Sequence, residues 1–94
     1  MYIISYDITS NKLRRKIAKE LENYGIRVQY SVFECNIDKT RLKEVYTKMV
    51  HLMDGVEEGS IRCYELCKNC EQKVHIIGID DQKEKYARDD VIVL

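Results

Sequence analysis

The chain predicts a small α+β domain in which two helices cover one face of a sheet. Three observations carry that expectation. Apolar residues recur at helical spacing in two separate segments, β-branched and aromatic runs lie around them, and no repeat or low-complexity stretch breaks the order. With 94 residues the chain is expected to form a single domain, 1–94. A domain of this size buries roughly 60–65% of its unfolded surface, so its core is modest and a dimer interface would add to it.

YIISYDI (2–8) is apolar on both faces apart from Ser5 and Asp7, which suits a central strand. From Leu13 the period changes. Leu13, Ile17, Leu21 and Tyr24 form a helical stripe, with Thr9 or Ser10 as N-cap and Gly25 as the C-terminal stop. IRVQYSVFECNI (26–37) reads as one long strand without Gly, Pro or Asn-Gly to turn it. Asp38 is placed to cap a second helix whose inward stripe is Leu42, Val45, Met49 and Leu52. SIRCYEL (60–66) and KVHIIGI (73–79) are two further strands. DDQKEKYARDD is a polar linker, and VIVL closes the chain as a short strand, so 79–94 is linker plus terminal strand. Residue patterns alone therefore order the elements β-α-β-α-β-β with a tail. A split βαβ arrangement, β-α-β-β-α-β, requires a hidden break inside 26–37.

Sixteen basic and sixteen acidic residues cancel, so any nucleic-acid partner must be argued from the distribution of charge. No apolar stretch approaches the roughly 20 residues that span a bilayer, and no leader pattern precedes the first strand. A cytoplasmic location without a membrane partner is the expectation. Four cysteines are present: Cys35 stands alone, and Cys63, Cys67 and Cys70 form C-x3-C-x2-C. A structural zinc wants four ligands, and only His75 is nearby to complete the set. Reduced thiols in a turn are the simpler reading. A redox CxxC is disfavoured, because it opens a helix after a strand and here a strand follows.

Asp7 ends the first strand, a few residues ahead of Lys12, Arg14, Arg15, Lys16 and Lys19. The residues leave two readings of it. Asp7 is either a turn residue accepting backbone N–H bonds or a ligand for a hard cation. Magnesium keeps several waters and uses one or two carboxylates plus substrate phosphates. One Asp per subunit becomes two across a two-fold axis. Lys12, Arg15, Lys16 and Lys19 share a broad helix face opposite the apolar stripe, with Arg14 beside it. That face suits a phosphate backbone, although such charges commonly serve only to keep a helix solvated. Arg14 and Arg15 rank first, because a guanidinium can bind two phosphate oxygens. Gln29, Ser31 and Phe33 are supporting candidates if their strands neighbour the first. Tyr6, Tyr30 and Phe33 otherwise read as core or interface aromatics. Neither His51 nor His75 has a partner at catalytic spacing.

The order YDI, then RRK, then GIRVQYSVFE, continuing through RCYELCKNCEQKVHIIG to DDVIVL, resembles the CRISPR-associated endoribonuclease family of the Cas-two type. The likeness covers essentially the whole chain. It implies a ferredoxin-like βαββαβ sheet with two helices on one face and an extra C-terminal strand. It also implies a homodimer formed through the open sheet face, with the C-terminal strand pairing across it. The segment 26–37 would then divide near Gln29–Phe33. By the same likeness Asp7 occupies the position of the family's metal-binding, catalytic carboxylate, with magnesium or manganese as cofactor. Arg14 and Arg15 stand at its basic pair. Asn11-Lys12 replaces a place that is often acidic, so no second carboxylate ligand is expected there. The implied function is a metal-dependent endonuclease of the CRISPR adaptation machinery, cutting RNA or DNA. The alternative is a dimeric adaptor that bridges CRISPR integrase subunits of the Cas-one type and binds duplex DNA.

Overall fold

The structure is a computed structural model and describes residues 1–78 together with Val91–Ile92. The described residues hold, in order, β1 (Tyr2–Asp7), α1 (Asn11–Leu21), β2 (Ile26–Gln29), β3 (Val32–Cys35), α2 (Lys39–Leu52), β4 (Ser60–Glu65), α3 (Lys68–Glu71), β5 (Ile76–Ile77) and β6 (Val91–Ile92). The first four strands form one antiparallel sheet in the order β2-β3-β1-β4. That order and the βαββαβ succession make the fold ferredoxin-like.

The hidden break in 26–37 lies at Tyr30-Ser31, a two-residue connection between β2 and β3. Neither residue is a preferred hairpin-turn type. The register slips between Arg27 and Gln29, so Val28 is an extra residue in β2. Such a bulge bends the strand and re-aims its side chains. The long-strand reading of these residues fails because the chain reverses at Tyr30-Ser31, where β3 turns back to pair with both β2 and β1.

Both helices begin where their caps predict. The Ser10 hydroxyl accepts the Leu13 N–H at 3.2 Å, and the Asp38 carboxylate accepts the Arg41 N–H at 2.9 Å. Ile17, Ala18 and Leu21 of α1 and Leu42, Val45 and Met49 of α2 are buried on Tyr2, Ile4, Tyr6, Phe33 and Cys35 of the sheet. Phe33, fully buried, contributes roughly 1.5–3 kcal/mol by leaving water.

Gly25 does not stop α1, which ends at Leu21. It lets the chain pass close to β3. A Cβ there would collide with the Glu34 carbonyl oxygen and reach 2.6 Å from Cys35 Sγ.

The expected strand over 73–79 is reduced to Ile76–Ile77, because the one-turn helix α3 precedes it and the Lys73 N–H is tied back to the Cys70 carbonyl at 3.0 Å. β6 runs parallel to β5, pairing Ile76 with Val91 and Ile77 with Ile92. The expected linker, and the rest of the expected terminal strand, lie outside the described residues. Among the described residues, no helix is long and apolar enough to cross a membrane.

Candidate nucleic-acid interface

Side chains alternate along β1, so Tyr2, Ile4 and Tyr6 face the helices while Ile3, Ser5 and Asp7 face the open side of the sheet. Asp7 is exposed and pairs in register with Ser60 of β4. Its carboxylate takes no hydrogen bond or ion pair from any described residue. Ser10 performs the capping that a turn role would have given it. Behind it, Gly59 (φ +98°) passes so close that a Cβ would lie 2.5 Å from the Asp7 carbonyl oxygen. Any side chain at 59 therefore pushes on the backbone that carries the carboxylate.

The β1–α1 connection is held by an arginine of the helix it leads into. Arg14 Nη1 donates to the carbonyls of Ile8 (2.8 Å) and Thr9 (3.1 Å), and its Nη2 donates to Asn11 Oδ1. A guanidinium has five N–H donors in a rigid fork. Here most of that fork is committed to the loop after Asp7. Arg14 thus fixes the loop, and less of it is left for a phosphate than the sequence suggests.

Arg14 also borders a groove of about 470 Å³ between α1 and the β2–β3 hairpin, where three further cations gather. Arg15 and Lys19 come from α1, and Arg27 comes from β2. Tyr6 forms part of the wall and Tyr30 stands at the rim, with Glu22 as the acidic member. Arg27 Nη2 donates to the Tyr6 hydroxyl at 3.2 Å, and its guanidinium lies 5.4 Å from the Phe33 ring centroid. The Tyr6 and Phe33 rings stack at 6.4 Å. Lys12 and Lys16 are exposed on α1 but do not line the groove.

The supporting candidates separate. Ser31 lies beside the site, its carbonyl accepting the Tyr6 N–H at 3.1 Å. Gln29 sits one strand farther out, opposite Val32. Phe33 is on the helix side of the sheet, away from Asp7, and acts only through Tyr6 and Arg27. Tyr30 is 74% exposed at the hairpin tip, so of the two readings, core or interface, the core one fails for it. Arg27 was missed altogether, although a guanidinium between Ile26 and Val28 in a strand-like run was the available signal. Within one chain, Asp7 and the basic groove do not share a pocket. They meet at the end of β1, through Tyr6 on one side and the Ile8–Thr9 carbonyls on the other.

No three His, Cys, Asp or Glu side chains converge as a metal cage among the described residues. One exposed, unpartnered carboxylate is nevertheless the donor set a hard, largely hydrated cation uses when the rest comes from phosphate or a second subunit.

A family profile described as CRISPR associated protein Cas2 matches residues 1–74. The chain is 43% identical to the CRISPR-associated endoribonuclease Cas2 1 of Chloroflexus aurantiacus over 77 residues, covering 82% of this chain and 83% of that protein. Its fold is similar to that of Streptococcus pyogenes Cas2, with a TM-score of 0.72, 32% identity, and 82% and 98% of the two chains covered. It is also similar to a chain of a partial Cas6-RT-Cas1–Cas2 complex, with a TM-score of 0.70, 35% identity, and 79% and 86% covered. The resemblance carried by YDI, RRK and GIRVQYSVFE is thereby borne out, and the chain belongs to the CRISPR-associated Cas2 family.

Proposed function

We propose that this chain is a homodimeric, metal-dependent endonuclease of the CRISPR adaptation machinery, with Asp7 as the ligand for magnesium or manganese. The observation that carries the reading is the Asp7 carboxylate, exposed at the end of a central strand and unpartnered, with a cationic groove on the other side of the same strand end. The endoribonuclease name of the Chloroflexus relative supports phosphodiester hydrolysis. A bound divalent ion supplies charge stabilisation to the phosphoryl oxygens and lowers the pKa of a water.

The chain's own residues do the rest. Arg15, Lys19 and Arg27 attract and orient the phosphate backbone. Arg14 holds the loop carbonyls that follow Asp7. Tyr6 and Ser31 brace the strand end. A dimer across the open face of the sheet would place a second Asp7 near the first and double the carboxylate count. Half-buried Ile3 on that face supports such an interface, as does the exposed row of Ser60, Arg62 and Tyr64 on the edge strand β4. No described residue is placed as a general base beside Asp7, which fits slow chemistry.

The second reading is a non-catalytic adaptor that binds duplex DNA and bridges CRISPR integrase subunits. Likeness to a chain of a Cas1–Cas2-containing complex favours it.

Asp7→Asn tests the two. It removes the charge a hard cation needs and keeps an accepting oxygen. Cleavage of RNA and DNA with magnesium, with manganese and with chelator is expected to disappear in Asp7→Asn, while dimer mass and duplex affinity stay within about twofold of wild type, an energy below about 0.5 kcal/mol. Cleavage by Asp7→Asn equal to wild type overturns the metal-ligand role. A wild-type chain that cuts nothing with either metal leaves the adaptor reading.

A further inference from the structure

The segment RCYELCKNCE has no place in the proposed hydrolysis, and the structure changes what its cysteines can do. A redox CxxC opens a helix directly after a strand. Residue order disfavours this arrangement, yet the structure has it. β4 ends at Glu65, Cys67 is the N-cap of α3, and Cys70 lies in its single turn. Cys67 Sγ accepts the Cys70 N–H at 3.3 Å. Both side chains are exposed. The turn is anchored to the start of β1, because Met1 and Leu66 exchange backbone hydrogen bonds (2.8 and 3.1 Å) and the Met1 ammonium lies 3.6 Å from Glu71. An anchored backbone thus holds two accessible cysteines on one turn, with the Cys67 sulfur against the Cys70 N–H.

We propose that Cys67 and Cys70 form a reversible dithiol/disulfide pair whose co-reactant is a low-molecular-weight disulfide. The pair is not half of a converging cysteine cluster. Cys63 lies on the helix-facing side of β4 against Tyr46, and no third donor joins Cys67 and Cys70 among the described residues. Two thiolates from one chain leave a tetrahedral zinc two ligands short. The pair is not a staple either. A bridge across four residues removes little loop entropy from the unfolded chain, and both ends of the loop are already fixed by α3. Low stabilisation and high exposure are the properties of a disulfide that is easily reduced.

Cys67 is the attacking thiol. Its pKa lies below the ordinary cysteine value, chiefly because the Cys70 thiol and the Cys70 N–H stabilise the thiolate, with Lys73 adding to them. Cys70 shifts upward through the same contact and stays protonated. The Cys67 thiolate attacks one sulfur of the disulfide RSSR, forming Cys67–S–SR and releasing RS⁻. Cys70 then loses its proton to solvent and attacks Cys67 Sγ, expelling the second RS⁻. The S–S bond of RSSR breaks and the Cys67–Cys70 bond forms. RSSR gains two electrons and two protons in all, leaving as two RSH.

The test equilibrates the reduced full-length chain with mixtures of reduced and oxidised glutathione. Free thiols are then alkylated in denaturant, and the peptides are weighed. Cys67 and Cys70 are expected to lose their labels together at one common ratio, with no glutathione retained and with Cys35 and Cys63 still labelled. Cys70→Ser is expected to trap one glutathione on Cys67. Cys67→Ser is expected to react with oxidised glutathione at least about tenfold more slowly than Cys70→Ser, since the better thiolate is gone. The proposal is overturned if both cysteines stay labelled at every ratio, if wild type accumulates separate glutathione adducts, or if the bridge forms to Cys63. It is equally overturned if equimolar zinc protects both thiols and stays bound through gel filtration.

Discussion

The two helices on the sheet are both rich in lysine and arginine, yet they use those cations differently. On α2, Arg41 lies 4.7 Å from the Tyr24 ring centroid, donates to the Asn23 carbonyl at 3.2 Å and approaches Glu44 at 4.0 Å. Lys48 lies 5.2 Å from the same ring and 3.4 Å from Glu20. The Tyr24 hydroxyl first, and Glu20 after it, push its ammonium pKa upward. These cations tie α2 to the end of α1. On α1, Arg14 borders the groove but has most of its donors on the β1–α1 loop, whereas Arg15 and Lys19 line the groove that Arg27 completes. Beside α2 the corresponding hollow, about 230 Å³, is lined by Val45, Met49, Met53 and Ile61 and carries no cation. A count of basic residues thus does not locate a phosphate-binding surface. Only cations left unneutralised after the fold has used what it needs can do so.

The harshest way to break the contrast is to remove the residue beneath it. Phe33→Ala deletes the ring that supports Tyr6 and Arg27 and leaves a cavity in the common core. It should cost about 3–5 kcal/mol, read as a lowered denaturant midpoint. Phe33→Leu, with cleavage retained in the folded fraction, would confirm that Phe33 acts through packing.

A smaller effect separates the two flanks. Arg15→Ala, Lys19→Ala and Arg27→Ala together should flatten the dependence of log affinity on log salt by roughly 2–3 units per chain. Arg14→Ala should leave that slope nearly unchanged and reduce cleavage, since it loosens the loop after Asp7. An Arg14→Ala slope as flat as that of the triple variant would make Arg14 a phosphate contact after all.

The smallest effect is expected from α2. Arg41→Ala should cost under about 1 kcal/mol of stability, as an exposed pair and a cation–π contact are worth, and Lys48→Ala should destabilise in the same sense. Neither should move the salt slope. A shift there would merge the two flanks into one binding surface.

Several of these features were legible before any coordinates. Ser10 and Asp38 cap helices because capping is local chemistry within a few residues. The stripes Ile17–Leu21 and Leu42–Val45–Met49 declare their inward faces by period alone. Asp7 stood out as a charge ending an apolar run. The turn at Tyr30-Ser31 was not legible from residue type. It is imposed by the pairing of β3 with β1, Ile4 against Phe33 and Ser5 against Val32, which outweighs weak local turn preference. α3 was missed because four residues are too few to show a period.

By itself, then, the sequence determined what depends on neighbours along the chain: the two helices and their caps, the central strand, and the exposed carboxylate at its end. Tertiary structure alone decided which cations stay free. Arg14 turns back on carbonyls five and six residues behind it, Arg41 and Lys48 reach across to Tyr24 and Glu20, and Arg27 arrives beside Arg15 and Lys19 from another strand. Tertiary structure also seated Cys67 and Cys70 on one anchored turn, tied to Met1 at the far end of the chain. The physical reason is one of range. Caps and periodicity act within a turn or two, whereas neutralisation and convergence depend on contacts between residues that only the folded sheet brings together.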